Sequence, residues 1–504
     1  MRTSLDLPDI QGLILSGYGD RPAARYGLFE IVDVARARRW LASLVPELQF
    51  GEYRRSARHE QPLLKPLCAN VAFTAAGFRT LGLTETALAG FSLAFQEGMN
   101  EPERARRLGD DGESAPERWE WGYPGQALHG VLAVFAGRDD AEEAEWEVIR
   151  AFLERQLCAE HGVKALRVLD TLATNRASRR EHFGFRDGIT NPRIAGLSRG
   201  RENLIEPGEV LLGYKNGYGH YPLSPEVQSS EDPDGRLPVS LELETRRDFG
   251  RNGSYLVFRQ LRQNVSAFWA WMQETSARIP DAPRGVQGAV WLASKVIGRW
   301  PNGTPLTIYP EAPGPDAAAE NDEFAFGEHG DAYGSRCPIG SHIRRTNPRD
   351  TALPVPHDPE LSGTPEDSGT KRRRMKLSDL HRILRRGRLY GDPCHDRFDP
   401  SELCSGKDDG KDRGIHFLCF NANLSRQFEF IQSNWVNNPC FAGLSSDPDP
   451  LLGARRAYPF GASDFTIQGY PPRRVRNLPR LVEVKGGAYF FMPGRSALLY
   501  LSRA

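Results

Sequence analysis

The chain has 504 residues, and its 65 Lys and Arg balance 65 Asp and Glu, so the formal net charge is zero. That length exceeds the usual size of one hydrophobic core, and the neutral balance excludes a global field drawing the protein to nucleic acid or an anionic membrane. Charged residues make up 26% and hydrophobic ones 39%, a globular composition, while 50 Gly and 37 Pro imply long non-repetitive loops.

The first residues, Met1 to Ile10, carry no apolar run of signal-peptide length, and no later stretch reaches the roughly 18 apolar residues of a membrane span. A cytoplasmic protein is therefore expected. Tyr26–Val32 reads as a strand, Val34–Val45 as an amphipathic helix, Asn70–Thr74 as a strand and Gly77–Leu81 as the start of a short helix. A second round follows, with a strand at Gly130–Ala136, a helix at Ala141–Leu157 and a strand at Ala165–Leu169. This is a doubled βαβ pattern of the ferredoxin-like type. From Arg251 the pattern restarts: a strand at Ser254–Leu261, an apolar helix at Val265–Met272 behind a cap at Asn264, a strand at Ile415–Asn421, a helix at Leu424–Ser433 and a late strand at Gly487–Met492. No stretch of sequence recurs at a fixed period, so the second half repeats the first in architecture only.

The expected organisation is α+β: a ferredoxin-like domain over 1–180, a Gly- and Pro-rich linker over 181–250, and a second ferredoxin-like domain over 251–504 with a long irregular insertion around 310–376. The insertion ends in the basic run Lys371–Lys376, which reads as a solvated loop rather than a nucleic-acid site.

Two segments in or beside these loops carry chemistry. One is Cys337-Pro-Ile-Gly-Ser-His-Ile-Arg-Arg-Thr-Asn-Pro-Arg-Asp350, which sets His342 on a small-residue turn directly before Arg344 and Arg345. A neutral imidazole can ligate a haem iron, and guanidinium groups close behind it can pair with the haem propionates. The other is His182-Phe-Gly-Phe-Arg-Asp-Gly188, where Asp187 lies between Gly184 and Gly188, glycines that allow close backbone approach to a ligand. Each is weak alone. An isolated histidine is more often satisfied by hydrogen bonds than by a metal, and a GxxDG stretch also reads as a turn in which the aspartate binds its own backbone. The other ten histidines show no HxH or HExxH spacing, and the seven cysteines are scattered without a CxxC pair, which supports neither a zinc site nor a disulfide framework. Cys337 as a thiolate ligand ranks below His342, because Pro338 beside it is turn chemistry. Trp269 and Trp271, on an apolar helix, read as core packing.

The extended pattern resembles the dye-decolourising peroxidase family in several separated blocks that keep the family's order: Asp9-Ile-Gln-Gly12, Asn70 to Phe78, His182 to Gly188, Cys337 to Arg349, Ile383-Leu-Arg-Arg-Gly-Arg-Leu-Tyr-Gly391 and Phe417 to Gln432. The resemblance implies two ferredoxin-like domains with a b-type haem between them, held chiefly by the second. By motif position it makes His342 the proximal iron ligand, Asp187 the distal acid and Arg385 the distal arginine. Arg386 follows directly and Leu389-Tyr-Gly replaces the Pro-Phe-Gly or Pro-Tyr-Gly of many members, so which of the two arginines faces inward stays open. The insertion between His342 and Arg385 points to one of the larger subfamilies.

The residue types also make chemical sense independently of the resemblance. Peroxide bound at iron must lose a proton from its near oxygen and gain one on its far oxygen, which a carboxylate one hydrogen bond away can shuttle. A fixed guanidinium stabilises the charge on the departing oxygen. A further acid would bind the second nitrogen of His342, and Glu429 is a candidate beside its plainer reading as an exposed helical carboxylate. The expected function is thus a haem peroxidase that uses hydrogen peroxide to form a ferryl species and oxidises phenols, aromatic dyes or similar small aromatic donors, with no nucleic-acid or membrane partner and with self-association implied only by analogy. The alternatives are a haem-binding, storage or iron-release protein of the same fold, and a structural protein without haem.

Overall fold

The computed structural model describes residues 4–51, 66–137, 143–173, 179–198, 204–319, 321–351, 377–394, 398–406, 408–455 and 463–503. The stretch 352–376, with most of the expected insertion and the Lys371–Lys376 run, lies outside the described residues. Nine strands form the main sheet: β1 (Ala23–Ile31), β2 (Leu67–Phe73), β3 (Gly130–Ala136), β4 (Val163–Asp170), β5 (Ser254–Gln263), β6 (Leu384–Arg385), β7 (Arg388–Tyr390), β8 (Gly414–Asn421) and β9 (Val482–Met492). In the first half the spatial order is β2-β3-β1-β4, and in the second β6/β7-β8-β5-β9. Numbered within its own half, each reads second, third, first, fourth, the ferredoxin-like order expected from the doubled pattern.

The two halves run on into one antiparallel sheet through Phe491 of β9 opposite Phe73 of β2. At the far edges, the backbone N–H of Leu172, just past β4, donates to the carbonyl of Leu389 in β7 at 2.7 Å, so the sheet curls toward a closed barrel. Period-2 alternation sorts the side chains. Leu256 and Phe258 of β5, Leu418 and Phe420 of β8, and Phe490 of β9 pack inside the curl against Tyr26, Leu28 and Phe135 of the first half. The opposite faces of the strands pack against helices, among them α1 (Val34–Leu44), α2 (Glu143–Gln156), α3 (Val265–Ser276) and α4 (Val286–Ile297). Burying each large aromatic contributes about 1.5–3 kcal/mol, which holds both layers.

The sequence expectations differ from this fold in three places. The helix expected over Leu424–Ser433 begins only at Phe428 and continues as a π-helix over Ile431–Val436. The buried Gln427 accepts from the backbone N–H groups of Ala422 and Asn423, and its amide donates to the carbonyls of Glu209 and Arg382, which fixes the preceding residues as a turn. The late strand starts at Val482 rather than Gly487 and carries an irregularity between Val484 and Gly486, where the Trp121 indole occupies the space a Cβ on Gly486 would need. Helix α4 is not legible in the helical pattern, because it is apolar nearly all round and buried along most of its length. Trp269 is buried and donates to the Phe183 carbonyl, a core role as expected. No described helix is long and apolar enough to cross a membrane.

Candidate active site

A cavity of about 1130 Å³ lies on the outer face of the second half's sheet, against Ile415 and Phe417 of β8 and Leu261 and Gln263 of β5. Residues 179–191 and the short helix α5 (His342–Thr346) complete it, and Gly17, Gly19 and Asp110 are among the few contributions from the first half. The second half therefore holds the site chiefly.

Asp187 and Arg385 meet in this cavity although 198 residues separate them. Arg385 Nη1 donates to Asp187 Oδ1 at 3.0 Å, Arg385 Nη2 donates to the Thr190 carbonyl at 3.2 Å, and its backbone N–H donates to Asn191 Oδ1 at 3.0 Å. The Asp187 side chain keeps 47% of its surface, but that surface opens on the cavity, with protein packed round it on all sides. Burial pushes its carboxyl up, and the Arg385 charge together with the Gly188 N–H more than offsets this, so the acid sits below the ordinary carboxylate value. The structure separates the two adjacent arginines. Arg386 donates to the carbonyls of Leu13 and Ile14, away from Asp187.

Both flanking glycines have conformations that side chains resist. Gly184 has φ +94°, and a Cβ there would run into the Phe398 ring; Gly188 has φ +78° and faces open space. Each thus shapes the segment that carries Asp187, and both line the cavity.

His342 opens α5, which docks on α4 through Ser341 Oγ donating to the Lys295 carbonyl at 2.6 Å. Its Nδ1 lies 3.0 Å from Oδ2 of Asp449, a fully buried carboxylate whose other oxygen accepts from the N–H groups of Leu451 and Leu452. An ionised carboxylate only accepts, so Nδ1 always carries a proton and the neutral ring keeps its lone pair on Nε2. Burial pulls the imidazole pKa down, but the Asp449 charge and hydrogen bond raise it above the ordinary value overall. His342 also senses the charges of Arg385 and Asp187, which places all three on one cavity.

Asp449 is a functional candidate that sequence reasoning missed. It stands 107 residues from His342 and has no motif of its own. Glu429, the acid considered for that role, is engaged elsewhere, accepting from Arg104 at 2.5 Å and from the Tyr489 hydroxyl at 2.8 Å.

Arg344 and Arg345 also turn away from the cavity. On a helix that rotates about 100° per residue, His342, Ile343, Thr346 and Asn347 share one face, and Arg344 and Arg345 fall on the other. Arg344 binds the Cys337, Asp331 and Ala332 carbonyls and Asp331 Oδ2; Arg345 binds the Trp435, Asn438 and Asp447 carbonyls. Both are fully buried structural cations. Among the cations that do line the cavity, Arg299, Arg349 and Arg382 cluster about Asp322 within electrostatic reach of Arg385. Arg299 and Arg349 share Asp322, while Arg382 makes a long 3.5 Å pair with Asp379. Burial pushes Arg299 down to about 10 and lowers Arg382.

The residues present fit an iron porphyrin. One face offers an imidazole held in the ligating tautomer, apolar side chains including Ile297, Ile343, Leu451 and Val436 form the walls, and Asn347 Nδ2, on the cavity that Arg349 and Arg382 also line, is buried without a hydrogen-bond partner, a donor set suited to carboxylate recognition. Cys337 is excluded as the ligand. It is fully buried behind α5 against the Gly298 carbonyl, and burial pushes its thiol up to about 11.

Comparison with known proteins bears on the family and the fold. The sequence profile of the DyP dimeric alpha+beta barrel domain matches residues 9–166. "Peroxidase 2" of Mycetinis scorodonius is 30% identical, spanning 98% of this chain and 87% of that protein. "Multifunctional dye peroxidase DyP2" of an Amycolatopsis species is 30% identical over 85% of this chain and 81% of that protein. Among solved structures, an ancestral D-type dye decolorizing peroxidase superposes with a TM-score of 0.76 at 27% identity, covering 100% of both chains.

Proposed function

Because the chain belongs to the dye-decolourising peroxidase family, we propose that it uses hydrogen peroxide to oxidise phenols, aromatic dyes or similar one-electron donors with haem b held in the cavity through His342. The observation that carries this reading is the pairing of Asp187 with Arg385 on the same cavity that His342, backed by Asp449, borders. Haem bound there would supply the redox chemistry by which peroxide is reduced and one-electron donors are oxidised.

The chain's own groups do the rest. Asp449 holds the Nδ1 proton of His342, which fixes the ring and raises the basicity of Nε2. Asp187, ionised well into acid, takes the proton from the near oxygen of peroxide and returns it to the far one. Arg385, anchored at three points, stabilises the charge on the departing oxygen without reorganising. Arg382, Arg349 and the Asn347 amide, which line the cavity, would hold the two carboxylates of the cofactor. Phe417, Ile415 and Leu451 keep water away from the reacting atoms.

Storage or iron release would make no chemical use of the Asp187–Arg385 pair. All seven cysteines are free, which supports a reducing, cytoplasmic setting. The absorption spectrum of the purified protein before and after one equivalent of peroxide tests the reading. A Soret band that peroxide converts, and that a phenol then restores, is expected. A chain without a Soret band, or one whose band peroxide leaves unaltered, refutes it.

A further inference from the structure

We infer that Glu181 is a positioning residue for the peroxide step: its carboxylate is the staple that sets the Asp187 segment in register with the sheet carrying Arg385. This rests on the peroxidase reading above.

The segment 179–187 folds back on itself. The N–H of Asp187 donates to the Arg179 carbonyl at 2.9 Å, and Arg180 bridges to Arg186. Glu181 fills the middle of this turn. Its Oε2 accepts from the N–H of Phe183 at 2.9 Å, its Oε1 from the N–H of Phe185 at 2.8 Å, and its own backbone exchanges bonds with Phe185 and Gly184. One further bond leaves the turn, from Gln263 Nε2 to Glu181 Oε2 at 2.5 Å.

Gln263 ends β5, and the ladder runs from there to the catalytic arginine. Val257 of β5 faces Cys419 of β8, and Cys419 faces Arg385 of β6. At the other end of the segment, Asn191 and Thr190 bind Arg385 directly. Asp187 is therefore held between two anchors on one sheet, and Glu181 is the one that the proton-transfer chemistry does not itself require.

The charged groups that act on this carboxyl are Asp187 on the same turn, which disfavours its ionisation, and Arg180, which favours it. Burial is the larger influence and pushes the carboxyl up to about 7. Gln263 can serve both forms. Its Oε1 is buried without a partner, so an amide turned over would accept from a protonated Glu181 as its Nε2 now donates to the ionised one. The staple thus persists into the acidic range where Asp187 works.

Glu181→Gln tests this, since it keeps the shape but sets an NH₂ against one of the two backbone N–H groups. With haem bound, kcat/KM for peroxide is expected to fall at least tenfold while kcat/KM for a phenolic donor changes less than twofold, and the amides of Phe183 and Phe185 lose hydrogen-exchange protection. In an Asp187→Asn background, the same change should cost less than twofold more, because Glu181 acts through Asp187. Wild-type exchange and peroxide kinetics in E181Q would overturn the inference, as would a loss that simply multiplies with that of D187N. If E181Q fails to hold haem, Glu181→Asp serves: the charge stays but cannot span both N–H groups, so an intermediate peroxide loss supports the staple and none overturns it. A wild-type chain inert to peroxide would sink the peroxidase reading, and the exchange comparison would still decide for or against the staple.

Discussion

Replacing Asp449 by Asn probes the proximal arrangement most directly. The amide oxygen can still accept from Leu451 and Leu452, so the local turn survives, but an NH₂ donor now meets the Nδ1 position of His342. The imidazole then gains by carrying its proton on Nε2, the nitrogen that must face iron. The hydrogen bond lost is charge-assisted and fully buried on the carboxylate side, which puts the cost at about 1.5–3 kcal/mol. That corresponds to about a 10–100-fold loss, the range typical when the acid behind a ligating histidine is removed. Haem affinity, measured by titrating the haem-free chain with haem and following the Soret band, should weaken by that factor. The haem-free chain offers an independent check. Burial lowers the pKa of His342 and Asp449 more than reverses it, so His342 in the folded state lies above 6.5. A raised pKa contributes stability that is fully present below the unfolded value and is lost as pH rises through the folded one. In D449N burial and the Arg385 charge both lower the pKa, with only the smaller Asp187 charge opposing them, so this contribution should vanish or change sign in melts taken across that range. Wild-type haem affinity together with an unchanged pH dependence of stability would refute the claim that Asp449 sets the tautomer of His342.

Asp187→Asn should slow the reaction with peroxide by about 10²–10⁴-fold and Arg385→Leu by about 10²–10³-fold, with the Soret band retained in both; stopped-flow rates near wild type in both variants would reject their roles. Because the Asp187 carboxyl lies below its ordinary value of 3.8, its base form is already complete in mild acid and disappears only as pH falls through the lowered pKa, so the rate of the reaction with peroxide should be flat from mild acid to neutrality and fall only in stronger acid; initial rates that climb steadily to pH 8 would contradict Asp187 as the base. Arg104→Ala leaves Glu429 nearly buried beside Tyr489 without its cation, and should destabilise the fold by about 3–5 kcal/mol in a denaturant titration; a loss below about 1 kcal/mol would show that the network is solvated.

The sequence by itself determined the elements and much of the chemistry. Short, largely apolar runs rich in β-branched and aromatic residues, such as Gly130–Ala136 and Ser254–Leu261, bury both faces as strands, and the glycines around Asp187 are needed because the backbone there takes positive φ. The doubled pattern also carried the strand order of each half. What remained undecided depends on direction and distance. The choice between Arg385 and Arg386 is the choice of which face of a short strand meets the cavity, and it is set by the pairing of Arg385 with Cys419. Arg344 and Arg345 follow His342 so closely that sequence suggests a shared role, yet the rotation of a five-residue helix sends them into the protein and leaves Arg382 and Arg349 to line the site. Asp449 and Glu181 were invisible as functional residues because single carboxylates carry no local signature. Only a fold that brings one of them beside an imidazole 107 residues away, and the other against Gln263 at the end of a strand, gives each a partner that defines what it does.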